Sequence, residues 1–585
     1  MRLQVWAPGA RTVDVVIGSG SEVQTHPLSR SDSPRPGWWG AEIDGVGAGT
    51  RYAFSVDGGD PRPDPRSAAQ PDGVHAASEV VDPAAFGWTD EGWSGRDARG
   101  AVFYELHVGT FTPQGTFAAA TGRLDHLVEL GVDVVEVLPV SAWDGPHGWG
   151  YDGVAPYAVQ NSYGGPAAFA AFVDACHARG LAVALDCVYN HLGPSGNYLA
   201  EFGPYFTDKH DTPWGAAVNL DDEGSLEVRR WICDNALRWF RDFHVDALRL
   251  DAVHALVDDS EQHVLAQLAE ETAALSTELG RPLSLVAESD LNDAVMVTPV
   301  ADGGQGMTAQ WADDVHHALH ALLTGERQGY YADFGEPGVL ATTFTEAFFH
   351  AGRWSSFRGE TWGKKVDTSV HGGHEFLGYL QTHDQVGNRA VGERIGHLLS
   401  PTRAAAGAAL YLLGPFTPML FMGEEWNASS PWQFFTSFAD PELGEAVSKG
   451  RRSEFGEHGW SAEEVPDPQD PATRENSVLR WSELGEPDHA RMLAWYRDLI
   501  ALRRNESVFT DDDLRAVRVE QTEKRVVLHR GPFRVVVTLG EGGDVDLGGE
   551  GAELLLAFAD ATVEPQVVGG AVRMPAEGVA VVRTA

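Results

Sequence analysis

Apolar and polar positions follow two different textures along the 585 residues. At the start, short alternating runs (LQVWAP, TVDVVIG, WWGAEI, RYAFSV) are separated by Gly-, Ser- and Pro-rich stretches, the pattern of a small antiparallel β domain. The proline-rich PRPDPRSAAQPDG, from Pro61, reads as a loop or linker. Near residue 99 the texture changes to short, β-branched apolar runs spaced by helix-length segments, as a βα repeat requires. Eight runs fit: VFYELHV, VDVVEVLP, LAVALDCVYN, VDALRLD, PLSLVAE, MTAQWAD, FLGYLQTHD and PMLFMGEE. Beyond Ser507 the β texture returns in LRAVRVEQ, RVVLHRG, FRVVVTLG, AELLLAF and GVAVVRT.

Eight parallel strands close a barrel. The expected fold is therefore α/β: a (β/α)8 TIM barrel over residues 99–506 with loop insertions, flanked by an N-terminal β-sandwich over 1–98, of carbohydrate-module type, and a C-terminal β-sandwich over 507–585. Two of the intervening helices are well marked. AAFAAFVDACHARG closes on Gly180, and VRRWICDNALRWFRDF repeats apolar positions at helical spacing. HARMLAWYRDLIALRR is the expected closing helix.

Charge narrows the partners. Asp and Glu outnumber Lys and Arg by 85 to 43, a formal net charge of −42, so no nucleic acid is expected to bind and a neutral substrate suits the surface better. The uncharged AAAGAALYLLGPFTPMLFMG is long enough to cross a membrane, but Gly414, Pro415 and Pro418 split it into a helix half and a strand half, so no membrane partner is expected. The N-terminal MRLQVWAPGA lacks the apolar core of a secretion signal. Cys176, Cys187 and Cys233 cannot all pair and show no CxxC spacing, which points to a reducing, cytoplasmic compartment. The chain is expected to be a monomer or a weak homo-oligomer.

The chemistry lies in acidic residues that finish apolar strands: Asp186, Asp251, Glu288 and Asp384. In a βα barrel the C-terminal strand ends ring one mouth, so these carboxylates converge. Arg249 and Asp251, two apart in a strand, share a face, and the guanidinium would hold that aspartate ionised. Glu288 follows an apolar strand with no adjacent cation in the sequence, which favours a raised pKa and the acid role. An ionised and a protonated carboxyl form the working pair of a glycoside hydrolase. Taken singly, a strand-end aspartate such as Asp186 is more often a cap or loop acceptor, and His191, His254 and His383 suit structural roles as well. The adjacent His316 and His317 would point apart on a helix, which argues against a metal there. Trp residues in SAWDGPHGWGYDG, AQWADDVHH and GEEWNASSPWQFF sit in expected barrel loops, where flat faces can pack on sugars.

Four blocks in order, DCVYNH at Asp186–His191, DALRLDAVH at Asp246–His254, AESD at Ala287–Asp290 and HDQVGN at His383–Asn388, resemble the α-amylase superfamily of glycoside hydrolases across nearly the full chain. The resemblance implies a retaining hydrolase with Asp251 as nucleophile, Glu288 as acid/base and Asp384 as the third carboxylate, with Arg249, His191 and His383 in support. VFYELHVGTFTPQGTF, HGWGYDGVAPYAVQNSYGGP and AQWADDVHHALH narrow it to members that cleave the α-1,4 bond beside the terminal trehalose unit of maltooligosyltrehalose. The chain departs from that pattern at Ala247, Leu248 and Ala312 and at none of the carboxylates. Maltooligosyltrehalose and related α-1,4-glucans are then the implied ligands, with Tyr151, His254, Trp311, Asp313 and Asp314 as further substrate contacts, the two aspartates on the trehalose side. Members often bind calcium near the position of Asn190, but no oxygen cage is evident here, so no cofactor or required metal is expected. The alternatives are a glycogen branching or debranching enzyme, which shares the same carboxylates, and a non-catalytic glucan-binding homologue.

Overall fold

The computed structural model describes all residues except 19–22, 32–34, 457–463, 550 and 561–562. All eight expected strands form and close a parallel barrel: β1 Phe103–Leu106, β2 Val134–Val137, β3 Ala182–Cys187, β4 Ala247–Leu250, β5 Ser284–Ala287, β6 Ala309–Trp311, β7 Phe376–Tyr379 and β8 Thr417–Phe421. Each pairs in parallel with its chain neighbours, and β8 returns to β1 through Met419 opposite Phe103. All are buried along their length, which is why they read as near-continuous apolar runs rather than alternating ones.

Alternation survives inside the barrel, where it separates chemistry from packing. Phe103, Val134, Ala182, Ala184, Ala247, Val286, Ala309, Leu377 and Met419 form one apolar cluster. Two residues further along their strands stand Glu105 after Phe103, Glu136 after Val134, Asp186 after Ala184 and Arg249 after Ala247, all buried. The interior thus changes from apolar to charged toward the C-terminal strand ends.

The marked helices form at Gly165–His177, Ser225–Asp242 and Pro487–Asn505. The long uncharged run divides as its prolines dictate, into the helix Pro401–Leu412 and the strand β8. No helix among the described residues is long and apolar enough to cross a membrane.

Before the barrel, a three-stranded and a four-stranded antiparallel sheet form; after it come a five-stranded sheet and a three-stranded one. The five C-terminal runs read from sequence build the larger sheet. The strands Gln24–Pro27, Ser29–Ser31, Gly543–Asp546 and Gln566–Val568 were not legible, being short, polar and mostly exposed, with no alternating apolar face. Arg66 ties the N-terminal β region to the barrel through Asp234 at 2.9 Å, and Arg403 ties the C-terminal region through Glu577 at 2.8 Å.

Candidate active site

The C-terminal strand ends open into a cleft of about 590 Å³ lined by, among others, Tyr151, His191, Arg249, Asp251, His254, Glu288, Asp313, His383 and Asp384. Its centre is Arg249, 1% exposed on β4. One guanidinium nitrogen lies 2.7 Å from Asp251 Oδ1 and 3.0 Å from Asp186 Oδ1; the other lies 3.3 Å from Glu288 Oε2. Parallel register explains the meeting: Asp186 is the Cα partner of Arg249 across β3 and β4, while Asp251 and Glu288 extend β4 and β5 by one residue. Beneath the guanidinium lies the Trp311 ring, its centroid 4.4 Å away, which fixes the fork in place.

Glu288 therefore has an adjacent cation after all, a correction to the sequence reading. Strand adjacency supplies it, and adjacency between chain-distant strands is not visible in one run of residues. The cation does not win. Burial, reinforced by Asp251 and Asp384, outweighs Arg249 and a bond from the Ala252 amide, and the carboxyl is pushed up to about 8. That amide, 2.6 Å from Glu288 Oε2, belongs to a residue at φ 39°, a left-handed conformation rare for alanine.

Asp251 is held from a second side. With its amide oriented to satisfy both neighbours, Asn190 donates to Asp251 Oδ2 at 3.0 Å and accepts from His191 Nδ1 at 2.9 Å. Asn190 thus faces a carboxylate rather than a calcium-type cage. Asp186 lies below, buried, accepting from Tyr151 Oη at 2.6 Å; burial first, then Asp251, raises its carboxyl to about 6 against Arg249. Asp384 sits across the cleft, its Oδ1 accepting from Asn388 Nδ2 at 2.6 Å. Burial pushes its carboxyl above the usual range despite His383 and Arg249.

His383 reveals a participant that strand-end logic missed. Glu105, inside β1, accepts from the His383 amide at 2.8 Å and pairs with Nδ1 at 2.6 Å. Burial lowers the pKa of His383, yet Glu105 more than reverses this and the net direction is upward. An acidic residue in the middle of the apolar VFYELHV was the available signal.

Two substrate contacts expected from sequence are not in the cleft. Trp311 is buried under Arg249 and does not line it. Asp314 faces away; its Oδ2 accepts from the amides of Phe349 and His350 at 2.7 and 2.8 Å and from Asn292 Nδ2 at 3.1 Å. Neighbouring positions at a helix start point in different directions, and Asp313 takes the cleft side. There burial raises the Asp313 carboxyl to about 7, opposed by a bond from Tyr379 Oη.

Of the expected loop aromatics, Trp149 lines the cleft, stacked at 4.3 Å on Trp432, which is itself buried. Trp143 and Trp426 are core. Sequence reasoning missed Trp214, 48% exposed at the turn of the hairpin Phe206–Thr212 and Gly215–Val218 and stacked on His191. It also missed Asp152, Asp290, Phe434 and Arg451. His316 is buried against Tyr331 and His317 half-buried against Phe334, and neither lines the cleft. Among the described residues, His210, Asp221 and Asp259 bring three possible metal donors together, but Lys209 Nζ already lies 2.7 Å from Asp221.

This geometry has close relatives. The alpha amylase catalytic domain family matches residues 71–214. A malto-oligosyltrehalose trehalohydrolase of Arthrobacter ramosus is 54% identical over 96% of this chain and 96% of its own length, and one of Mycobacterium tuberculosis is 49% identical over 100% and 99%. A crystal structure of an alpha-amylase-type protein from Salmonella typhimurium superposes with a TM-score of 0.89 at 35% identity, covering 100% of this chain and 97% of that one. Identity of this order across the whole length, over a barrel whose mouth gathers the superfamily's carboxylates, makes the chain a glycoside hydrolase that belongs to the malto-oligosyltrehalose trehalohydrolase family.

Proposed function

We propose that the protein hydrolyses the α-1,4 bond beside the terminal trehalose unit of malto-oligosyltrehalose, with retention, releasing trehalose. The observation that carries this reading is Arg249 shared between Asp251 and Glu288. Two carboxyls on one guanidinium support the ~5 Å spacing of a retaining pair rather than the ~6.5–9.5 Å of an inverting one. Their environments divide the labour. Asp251, bonded by Arg249 and Asn190, is the nucleophile; Glu288, neutral up to a pKa of about 8, is the acid.

Asp251 forms a bond to the anomeric carbon as Glu288 gives its proton to the glycosidic oxygen, and trehalose leaves with that oxygen. Glu288, now ionised beside Arg249, takes a proton from water. The water oxygen bonds to the anomeric carbon as that carbon's bond to Asp251 breaks, which frees the glucan with a new reducing end and returns Asp251 as carboxylate and Glu288 as acid. Asp384 and His383 hold hydroxyls of the sugar under attack, and Tyr151, His191 and His254 line its surroundings. Asp313 belongs to the trehalose side. We assign the chain three units, 1–98, 99–506 and 507–585. The three unpaired thiols support a cytoplasmic setting.

Incubation with maltotriosyl trehalose beside a plain maltooligosaccharide of equal length tests the reading. Free trehalose and maltotriose from the first are expected. Glucan chains lengthened or branched without release of trehalose would mean that another glucan, not water, is the acceptor.

A further inference from the structure

Resting on the role given to His383 above, we propose that Glu136 is a further positioning residue for the reaction: a protonated carboxyl on β2 that donates to Glu105 and, through it, aims the His383 imidazole at the sugar under attack. Parallel register makes Glu136 the Cα partner of Glu105 on β1. Both side chains enter the barrel, since Phe103 and Val134, two residues before each, belong to its interior apolar cluster. Neighbouring strands lie about 4.8 Å apart, within reach of two glutamate side chains at one level on one face. Both residues are buried.

No donor among the described residues satisfies either carboxyl oxygen of Glu136. The charged groups that face it are Glu105, Asp186 and Arg249, from β1, β3 and β4. Arg249 gives its terminal nitrogens to Asp186, Asp251 and Glu288, and its Nε makes no bond to Glu136. An ionised Glu136 would be one more carboxylate in an enclosed acidic layer, with no bond to hold it. It therefore keeps its proton: burial, then Glu105 and Asp186, push its carboxyl well above the usual range, with Arg249 opposing. A buried O–H requires an acceptor. Glu105 is level with Glu136, whereas Asp186 stands two positions past its β3 partner, Ala184, so register favours Glu105.

Glu105 has capacity for that bond. One of its oxygens accepts from the His383 amide at 2.8 Å and the other pairs with Nδ1 at 2.6 Å, which leaves each oxygen a second lone pair. A donor on the far side fixes the carboxylate plane, and the fixed carboxylate fixes the ring. Nδ1 is then committed to Glu105, which frees Nε2 for a sugar hydroxyl in the cleft that His383 lines. An apolar side chain in place of Glu136 would remove a poorly satisfied acid from the interior at little cost to stability, or with a gain. A polar group kept in such a place is expected where it serves function rather than folding.

The test measures kcat/KM on maltotriosyl trehalose, Tm and infrared difference spectra for E136Q, E136M, E105Q and E105Q/E136M. In E136M, which fills a similar space without a donor, kcat/KM should fall about tenfold or more with Tm unchanged or raised. E136Q still offers an N–H to Glu105 and should stay within about threefold of wild type. E105Q/E136M should be no worse than E105Q, because the two residues act in series. The wild-type-minus-E136Q spectrum at neutral pH should contain the deuterium-sensitive C=O stretch of a protonated carboxyl. A carboxylate band in its place, unaltered kcat/KM in E136M, activity that falls only in step with Tm, or losses that multiply in the double variant would each overturn the proposal. Should E136M not fold, E136L carries the same comparison. Wild-type enzyme that releases no trehalose would overturn the proposed function alone; the infrared band, and the variant ratios on the α-glucan it does cleave, then decide this inference.

Discussion

Substituting Glu288 by Gln should stabilise the protein while disabling it, and the stabilisation should depend on pH. In the unfolded chain this carboxyl ionises near 4.5; in the cleft it does so near 8. Between those values the unfolded state has released a proton that the native state still holds, so native stability falls as pH rises from 4.5 to 8. At pH 7 the penalty is about 3 kcal/mol at 1.36 kcal/mol per pKa unit, and about 2–3 kcal/mol once the partial exposure of the side chain to the cleft is allowed for. Gln reproduces the neutral acid, including acceptance from the Ala252 amide, and has no such penalty. Unfolding entropy of about 1.2 kcal/mol/K for a chain of this length converts the gain to a Tm rise of about 2 °C. Differential scanning calorimetry of both proteins from pH 4.5 to 8.5 should show the Tm difference growing by that amount up to pH 7 and levelling above 8. Turnover should fall by about 10²–10⁴-fold. A Tm difference that stays flat across this range would refute the assignment of Glu288 as a carboxyl kept neutral by burial.

Asp251→Ala should abolish turnover yet retain measurable glucan binding by calorimetry, since the remaining cleft residues are untouched; unimpaired turnover would exclude Asp251 as nucleophile. Asp314→Ala should cost about 2–5 kcal/mol in urea unfolding, because it strands the amides of Phe349 and His350, the latter buried, and leaves Asn292 Nδ2 with the His350 carbonyl alone. Exhaustive chelation should leave activity and Tm unchanged, since Arg249 and His383 already stand against the cleft's carboxylates and Lys209 against Asp221. A loss restored by calcium would reveal a site that the acidic cluster at Asp221 and Asp259 is the first place to seek.

The barrel was legible because each strand carries its own signal: a β-branched apolar run that needs no knowledge of its neighbours. The carboxylates were legible for the same reason, as acidic interruptions at run ends. What escaped was relational. Arg249 could be paired with Asp251 by spacing alone, but its contact with Glu288 crosses from β4 to β5 and depends on register. Asp313 and Asp314 are chemically alike in sequence, and only the geometry at the helix start sends one into the cleft and the other behind a wall. Glu105 lies within β1 rather than at its end, and its role depends on His383, which only the closed barrel brings beside it.

The charged layer above the apolar barrel floor has a consequence for what the cleft holds most tightly. Asp186, Asp251 and Glu288 gather around the Arg249 guanidinium and Glu105 pairs with the His383 imidazole, with Asp384 beside them, so carboxyl groups outnumber the cations they face. Such a place is short of positive charge and shielded from solvent that would otherwise make up the deficit. A resting sugar brings nothing to correct it. A sugar whose ring oxygen and anomeric carbon have begun to share a cationic charge supplies the missing counter-ion, so the fold favours the fleeting oxocarbenium-like species over the stable molecules on either side of it.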